Sequence, residues 1–89
     1  MDRTMQIQDH VRSMVDADGA VLLDLKKGKY YSLNKVASRV WSKLEEGLTL
    51  PEILEHLREK YGLPAQQLEA DLEALMTGLE QKELIRVSA

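Results

Sequence analysis

The stretch VLLDLKKGKYYSLN, residues 21–34, contains two short apolar runs on either side of a polar, glycine-ended break. AVLLDL (residues 20–25) and KYYSL (residues 29–33) are rich in branched and aromatic side chains, and Lys26-Lys27-Gly28 separates them. Such a pattern predicts an antiparallel hairpin, with Gly28 supplying the left-handed residue that a three-residue loop needs. That loop pairs Leu25 with Lys29, Leu23 with Tyr31 and Val21 with Leu33. Val21, Leu23, Tyr31 and Leu33 then share a core face, while Leu22, Asp24, Tyr30 and Ser32 share the other. A slip of one residue would exchange the two sets on a strand, so the register carries the reading.

Upstream, Met5, Ile7, Val11 and Val15 occupy odd positions, interrupted at Asp9, which predicts a long first strand over about 5–15, bent or broken. Asp18-Gly19 reads as a turn in which glycine accepts a positive φ. Three helices are expected downstream, over about 35–46, 50–61 and 65–82. Asn34 is placed to cap the first, whose apolar stripe is Val36, Val40, Trp41 and Leu44. In the second, Thr49 and Glu52 form a capping-box pattern, Pro51 fits the first turn, and Gly62 closes the helix. Leu68, Leu72, Leu75, Met76 and Leu79 repeat at helical spacing in the third. Leu84 to Val87 reads as a last short strand or a packed tail. Strands at 5–15, 20–25 and 29–33 followed by three helices indicate one α+β domain over residues 1–89, with helices on one side of a three-stranded antiparallel sheet. Such a sheet leaves an edge able to pair with another strand.

With 89 residues there is room for one core. No cysteine is present, so there is no disulfide framework, thiolate metal site or cysteine nucleophile. The N-terminal MDRTMQIQDHV lacks a signal-peptide apolar run, and no apolar stretch is long enough for a membrane span; a cytoplasmic protein is expected. A net charge of −3 gives no general attraction to nucleic acid or anionic membranes.

Chemistry-bearing patterns are absent from the sequence. Glu52 and His56 have the i, i+4 spacing of a ligand pair, but a solvated helix face accounts for them. Glu69, Asp71 and Glu73 cannot converge, because helix neighbours two apart point in different directions. No nucleophile elbow, glycine-rich phosphate loop or metal-ligand cluster occurs. The expectation is a protein that is not an enzyme and uses no cofactor or metal. Its rival is a winged-helix DNA-binding protein. Against that, the third helix carries Glu69, Asp71, Glu73, Glu80 and Glu83 and one lysine, Lys82, so phosphates would repel it. Lys26, Lys27, Lys29, Lys35, Arg39 and Lys43 form a basic region elsewhere.

The run VLLDLKKGKYYSLN, with Trp41, the EEG ending at residues 45–47, Thr49, Ile53, Leu57, Tyr61, Asp71 and Leu84-Ile85, resembles the PqqD-like peptide-recognition elements over about residues 18–87. A free-standing chain of this size is similar to the recognition subunit of lasso-peptide biosynthesis. The resemblance implies a winged helix-turn-helix-like fold. It implies binding of the leader segment of a ribosomally synthesised precursor peptide, by strand addition along the third strand and third helix. It further implies presentation to a leader peptidase and a macrocyclase or other modifying enzyme supplied in trans. Two positions depart from the family pattern, Pro64 where a polar N-cap is expected and Glu83 where glycine is frequent.

The expected leader-binding positions are Lys29, Tyr30, Tyr31, Ser32 and Leu33 on the strand. On the helix they are Leu68, Asp71, Leu72, Leu75 and Met76, several of which must also serve the core. The register turns Tyr31 inward and leaves Tyr30 outside, where a large aromatic requires a reason. Tyr30→Ala is therefore expected to weaken leader binding with little change in thermal stability. Leader anchors of the Tyr, Pro or Leu kind would each contribute about 1.5–3 kcal/mol if fully buried. A micromolar complex needs about 8 kcal/mol net, so a few anchors plus strand pairing are sufficient in scale. A permanent structural subunit using the same edge is a weaker reading.

Overall fold

The computed structural model describes residues 4–88. Residues 1–3 and 89, which the sequence reading places in the same domain and, at the N-terminus, in the segment lacking a signal run, lie outside the described residues. The chain order is β1 (Thr4–Ile7), β2 (Val11–Asp16), β3 (Gly19–Asp24), β4 (Lys29–Leu33), α1 (Lys35–Glu45), α2 (Leu50–Tyr61), α3 (Ala65–Gln81) and β5 (Ile85–Ser88). The fold is α+β, with β2, β3 and β4 forming a three-stranded antiparallel sheet in that order. A second, two-stranded antiparallel sheet pairs β1 with β5.

The expected first strand is therefore two strands, β1 and β2. Val11 N–H donates to the Gln8 carbonyl at 3.2 Å, turning the chain at Asp9-His10. After the turn β1 belongs to β5, so Met5 and Ile7 face the core beside Ile85 and Val87 in a different sheet from Val11.

The hairpin register also differs from the expected one. Asp24 pairs with Lys29, Leu23 with Tyr30, Leu22 with Tyr31, Val21 with Ser32 and Ala20 with Leu33, so the loop has four residues, Leu25 to Gly28. Asp24 causes the difference. Its Oδ1 accepts the backbone N–H groups of Lys26 and Lys27, each at 2.9 Å, and its carbonyl accepts Gly28 N–H at 2.8 Å. Gly28 still takes the left-handed conformation, at φ 68°. The extra loop residue keeps Tyr31 and Leu33 inward but moves β3 by one place. Leu22 is fully buried and Val21 is exposed.

Capping follows the sequence signals. Asn34 Oδ1 accepts Ala37 N–H at 2.8 Å, and Thr49 and Glu52 close a reciprocal capping box. Gly62 ends α2 at φ 64°. Because Glu52 reaches back to the Thr49 N–H, it is committed to the cap and forms no pair with His56. The core joins Val11 and Leu22 of the sheet to Val40, Trp41 and Leu44 of α1, Ile53 and Leu57 of α2, and Leu68, Leu72, Met76 and Leu79 of α3, closed by Leu84 and Ile85.

Candidate peptide-binding groove

Among the described residues β4 pairs only with β3, so its other edge is free within the sheet. Beyond that edge, a groove of about 390 Å³ is lined by Tyr31, Ser32 and Leu33 of β4, Asn34 and Ala37 at the start of α1, and Ala74, Leu75, Gly78, Leu79 and Lys82 of α3, with Leu84 behind them. Ala37, Ala74 and Gly78 contribute little side-chain bulk to this lining. A second lobe of about 360 Å³ shares Asn34, Ala37 and Leu75 and continues between α1, α2 and α3. There the walls are mainly apolar: Val36, Val40, Leu57, Leu63, Leu68 and Leu72, with the Tyr61 ring and Asp71. A polar hollow of about 430 Å³ lies between β1 and the end of α1, lined by a different set of residues.

The α3 end of the groove is tied to the hairpin loop. Lys27 Nζ lies 2.9 Å from Glu83 Oε1, and His10 Nε2 lies 3.0 Å from the Glu83 carbonyl oxygen. The bond from Lys27 raises its own pKa and lowers that of Glu83. Glu83 has φ 62°, a left-handed conformation that favours glycine. Pro64, the other departure, caps α3 without any side-chain hydrogen bond. These ties bring the start of β4 to the C-terminal end of α3, so strand and helix run in opposite directions along the groove.

Seven of the ten residues expected from the sequence line the two lobes: Tyr31, Ser32, Leu33, Leu68, Asp71, Leu72 and Leu75. Leu68 and Leu72 are nevertheless buried and also belong to the core. Met76 is 2% exposed and lines neither lobe. Lys29 begins the edge strand without lining a lobe. Tyr30, expected outside the core and assigned to the peptide, is 71% exposed on the sheet face opposite Tyr31 and lines neither lobe. Sequence reasoning missed Asn34, Ala37, Ala74, Gly78 and Lys82. The available signal was the pair of small residues, Ala74 and Gly78, one turn apart on a helix otherwise rich in leucine.

Residues 19–85 match the family described as Coenzyme PQQ synthesis protein D (PqqD). The chain belongs to the PqqD family. Among solved structures, this PqqD-family chain is similar to TbiB1 in complex with the TbiA(beta) leader peptide, at 38% identity and a TM-score of 0.87, covering 91% of this chain and 94% of that one. A lasso peptide synthetase B1 complexed with the leader peptide has the same fold at 24% identity, with a TM-score of 0.85 and coverage of 93% and 98%. The search of curated proteins gave no match. Among the described residues no helix of the PqqD-like fold is long and apolar enough to cross a membrane, and no group of acidic, histidine or cysteine side chains could hold a metal ion.

Proposed function

We propose that this PqqD-family chain binds the leader segment of a ribosomally synthesised precursor peptide and presents it to separate enzymes, without catalysing a reaction itself. The observation that carries the reading is the free edge of β4 facing α3 across a small-floored groove. It occurs in a chain 38% identical to a protein solved with a leader peptide. The leader adds a strand to β4. Backbone pairing supplies affinity with little demand on sequence, and the side chains of alternate residues enter the lobes. Tyr31, Ser32 and Leu33 form one wall, and Leu68, Asp71, Leu72 and Leu75 the other. Lys29 contributes through the strand it begins, and Met76 by holding α3 on the core.

Presentation requires a second surface that stays open while the groove is filled. The outer sheet face offers one, with Met14 79%, Val21 41% and Tyr30 71% exposed and Leu23 between them. A leader peptidase seated there would act on a tethered substrate, so the encounter is partly intramolecular. A macrocyclase or other modifying enzyme acting later in trans would gain in the same way.

Fluorescence anisotropy of a labelled leader, taken from the precursor gene neighbouring this chain's gene, tests the binding reading. Saturable micromolar binding that changes little between low and moderate salt is expected, because apolar anchors and strand pairing involve few released counterions. Salt-sensitive binding to duplex DNA with no leader binding would instead support the winged-helix reading.

A further inference from the structure

Among the described residues, Asp71 and Lys82 are the only charged ones lining the two lobes, and they stand at opposite ends. Asp71 lies at the α1–α2–α3 end. Lys82 lies at the β4 end, with its Nζ 5.8 Å from the centroid of the Tyr31 ring. Among the described residues neither has an ion-pair partner, whereas Lys27, Lys43 and Arg58 are each paired with a glutamate. An apolar groove with one unpaired charge at each end has an electrical direction.

The distance between the charges sets a spacing. Lys82 folds back toward the N-terminus of its helix, because a Cβ built on Gly78 would lie 3.9 Å from Nζ. The ammonium is thus level with Gly78, about 10 Å along the helix from Asp71 at 1.5 Å per residue. The Asp71 side chain also leans toward the N-terminus, away from that ammonium, which lengthens the gap to about 12 Å. A strand advances about 3.4 Å per residue, and only even spacings return a side chain to the same face. Four residues, about 14 Å, is the nearest same-face spacing.

We propose that Asp71 and Lys82 select the polarity and register of the bound peptide, with a basic leader side chain opposite Asp71 and an acidic one four residues later opposite Lys82. The inference rests on the strand-addition reading. The order follows because β4 and α3 run in opposite directions, and antiparallel pairing is the more stable kind per residue. A strand antiparallel to β4 passes Asp71 before Lys82. The reversed sequence would put like charges together at both ends, so the pair acts mainly by excluding a wrong order or register.

The test uses three versions of the leader probe, with groove-facing positions four apart carrying Lys then Glu, Glu then Lys, or two serines. The pair of positions is moved along the probe one same-face register at a time. At about 50 mM salt, the Lys-then-Glu probe in its best register should bind about tenfold tighter than its exchanged partner, with the serine probe between them. At about 0.5 M salt the difference should shrink to about twofold, since both sites are open to solvent. A chain carrying both Asp71→Lys and Lys82→Glu should prefer the exchanged probe. Circular dichroism of that chain separates loss of fold from loss of preference. Equal affinity of the three probes in every register, or a preference for Glu-then-Lys by the unaltered chain, overturns the proposal while leaving leader binding in place. Failure of the serine probe to saturate in any register, with the unaltered chain folded, counts against strand addition itself and removes the basis of the inference.

Discussion

Asp24 is a fully buried carboxylate on the inner face of β3. Burial pushes its pKa up, but the backbone N–H groups of Lys27 and Lys26 pull it down, helped by the charges of His10 and Lys27, and the net direction is below the ordinary carboxylate value. Its Oδ2 has no hydrogen-bond partner among the described residues, so the ionised form is held through Oδ1 alone. A carboxylate whose folded pKa is depressed contributes stability that is present above its unfolded pKa and lost as pH falls through the folded one. Asp24→Asn should therefore be less stable than the parent at neutral pH. The gap should close as pH falls below the unfolded value near 3.8, which urea unfolding across a pH series measures. Gly19 illustrates a different residue-scale demand. The sequence reading gave it a positive φ, yet it is not among the left-handed glycines. What it provides is room, since an added Cβ would stand 2.5 Å from the Leu33 carbonyl oxygen. Gly19→Ala should cost about 1–3 kcal/mol, read by urea unfolding, because backbone must move to admit the methyl group.

At the scale of elements, α3 serves both core and groove, and Gly78 separates the two roles. A Cβ there meets nothing nearer than Lys82 Nζ at 3.9 Å, an ordinary contact. Gly78→Ala should stabilise the chain by about 1 kcal/mol through helix propensity, seen as a higher urea midpoint. Gly78→Leu should remain folded yet bind leader at least about tenfold more weakly, because its side chain fills the floor between β4 and α3. The helices were legible because their signals are local. Asn34, Thr49 with Glu52, and Gly62 each act within a few residues, and the leucine stripe repeats along one element. The facing of β3 was not legible. Val21, Leu22 and Leu23 are all apolar, so the alternation offers two solutions, and the expected three-residue loop ending at Gly28 selected the wrong one. Only the loop hydrogen bonds, which use the Asp24 carboxylate from inside, resolve it. The pairing of β1 with β5 joins opposite ends of the chain, and no short-range pattern could show it.

On the scale of the whole molecule, the sheet separates the helix-side groove from an exposed outer face, the two surfaces that the proposed presentation needs apart. The groove and Tyr31 lie on the helix side, while Tyr30, the next residue back, points to the opposite side. Alternation along β4 thus points adjacent tyrosines to opposite faces, which under the proposed function meet different partners. The sequence identified the strand and both rings, but the outward position of Tyr30 fitted either partner until the free edge and the small-residue floor located the groove. Tyr30→Ala separates the two surfaces experimentally. Leader affinity by anisotropy should stay within about twofold, since the ring touches neither lobe and a twofold change is less than 1 kcal/mol. Folding stability should also hold, because the side chain is already solvated. Cleavage of the bound precursor by the leader peptidase should slow, with a higher apparent KM for the leader-loaded complex as substrate. If leader affinity fell while cleavage of the loaded complex stayed normal, Tyr30 would belong to the peptide and the outer face would have no part in presentation. Loss of neither would place the enzyme contact elsewhere on the molecule, and Met14→Ser on the same face would then be expected to be silent too.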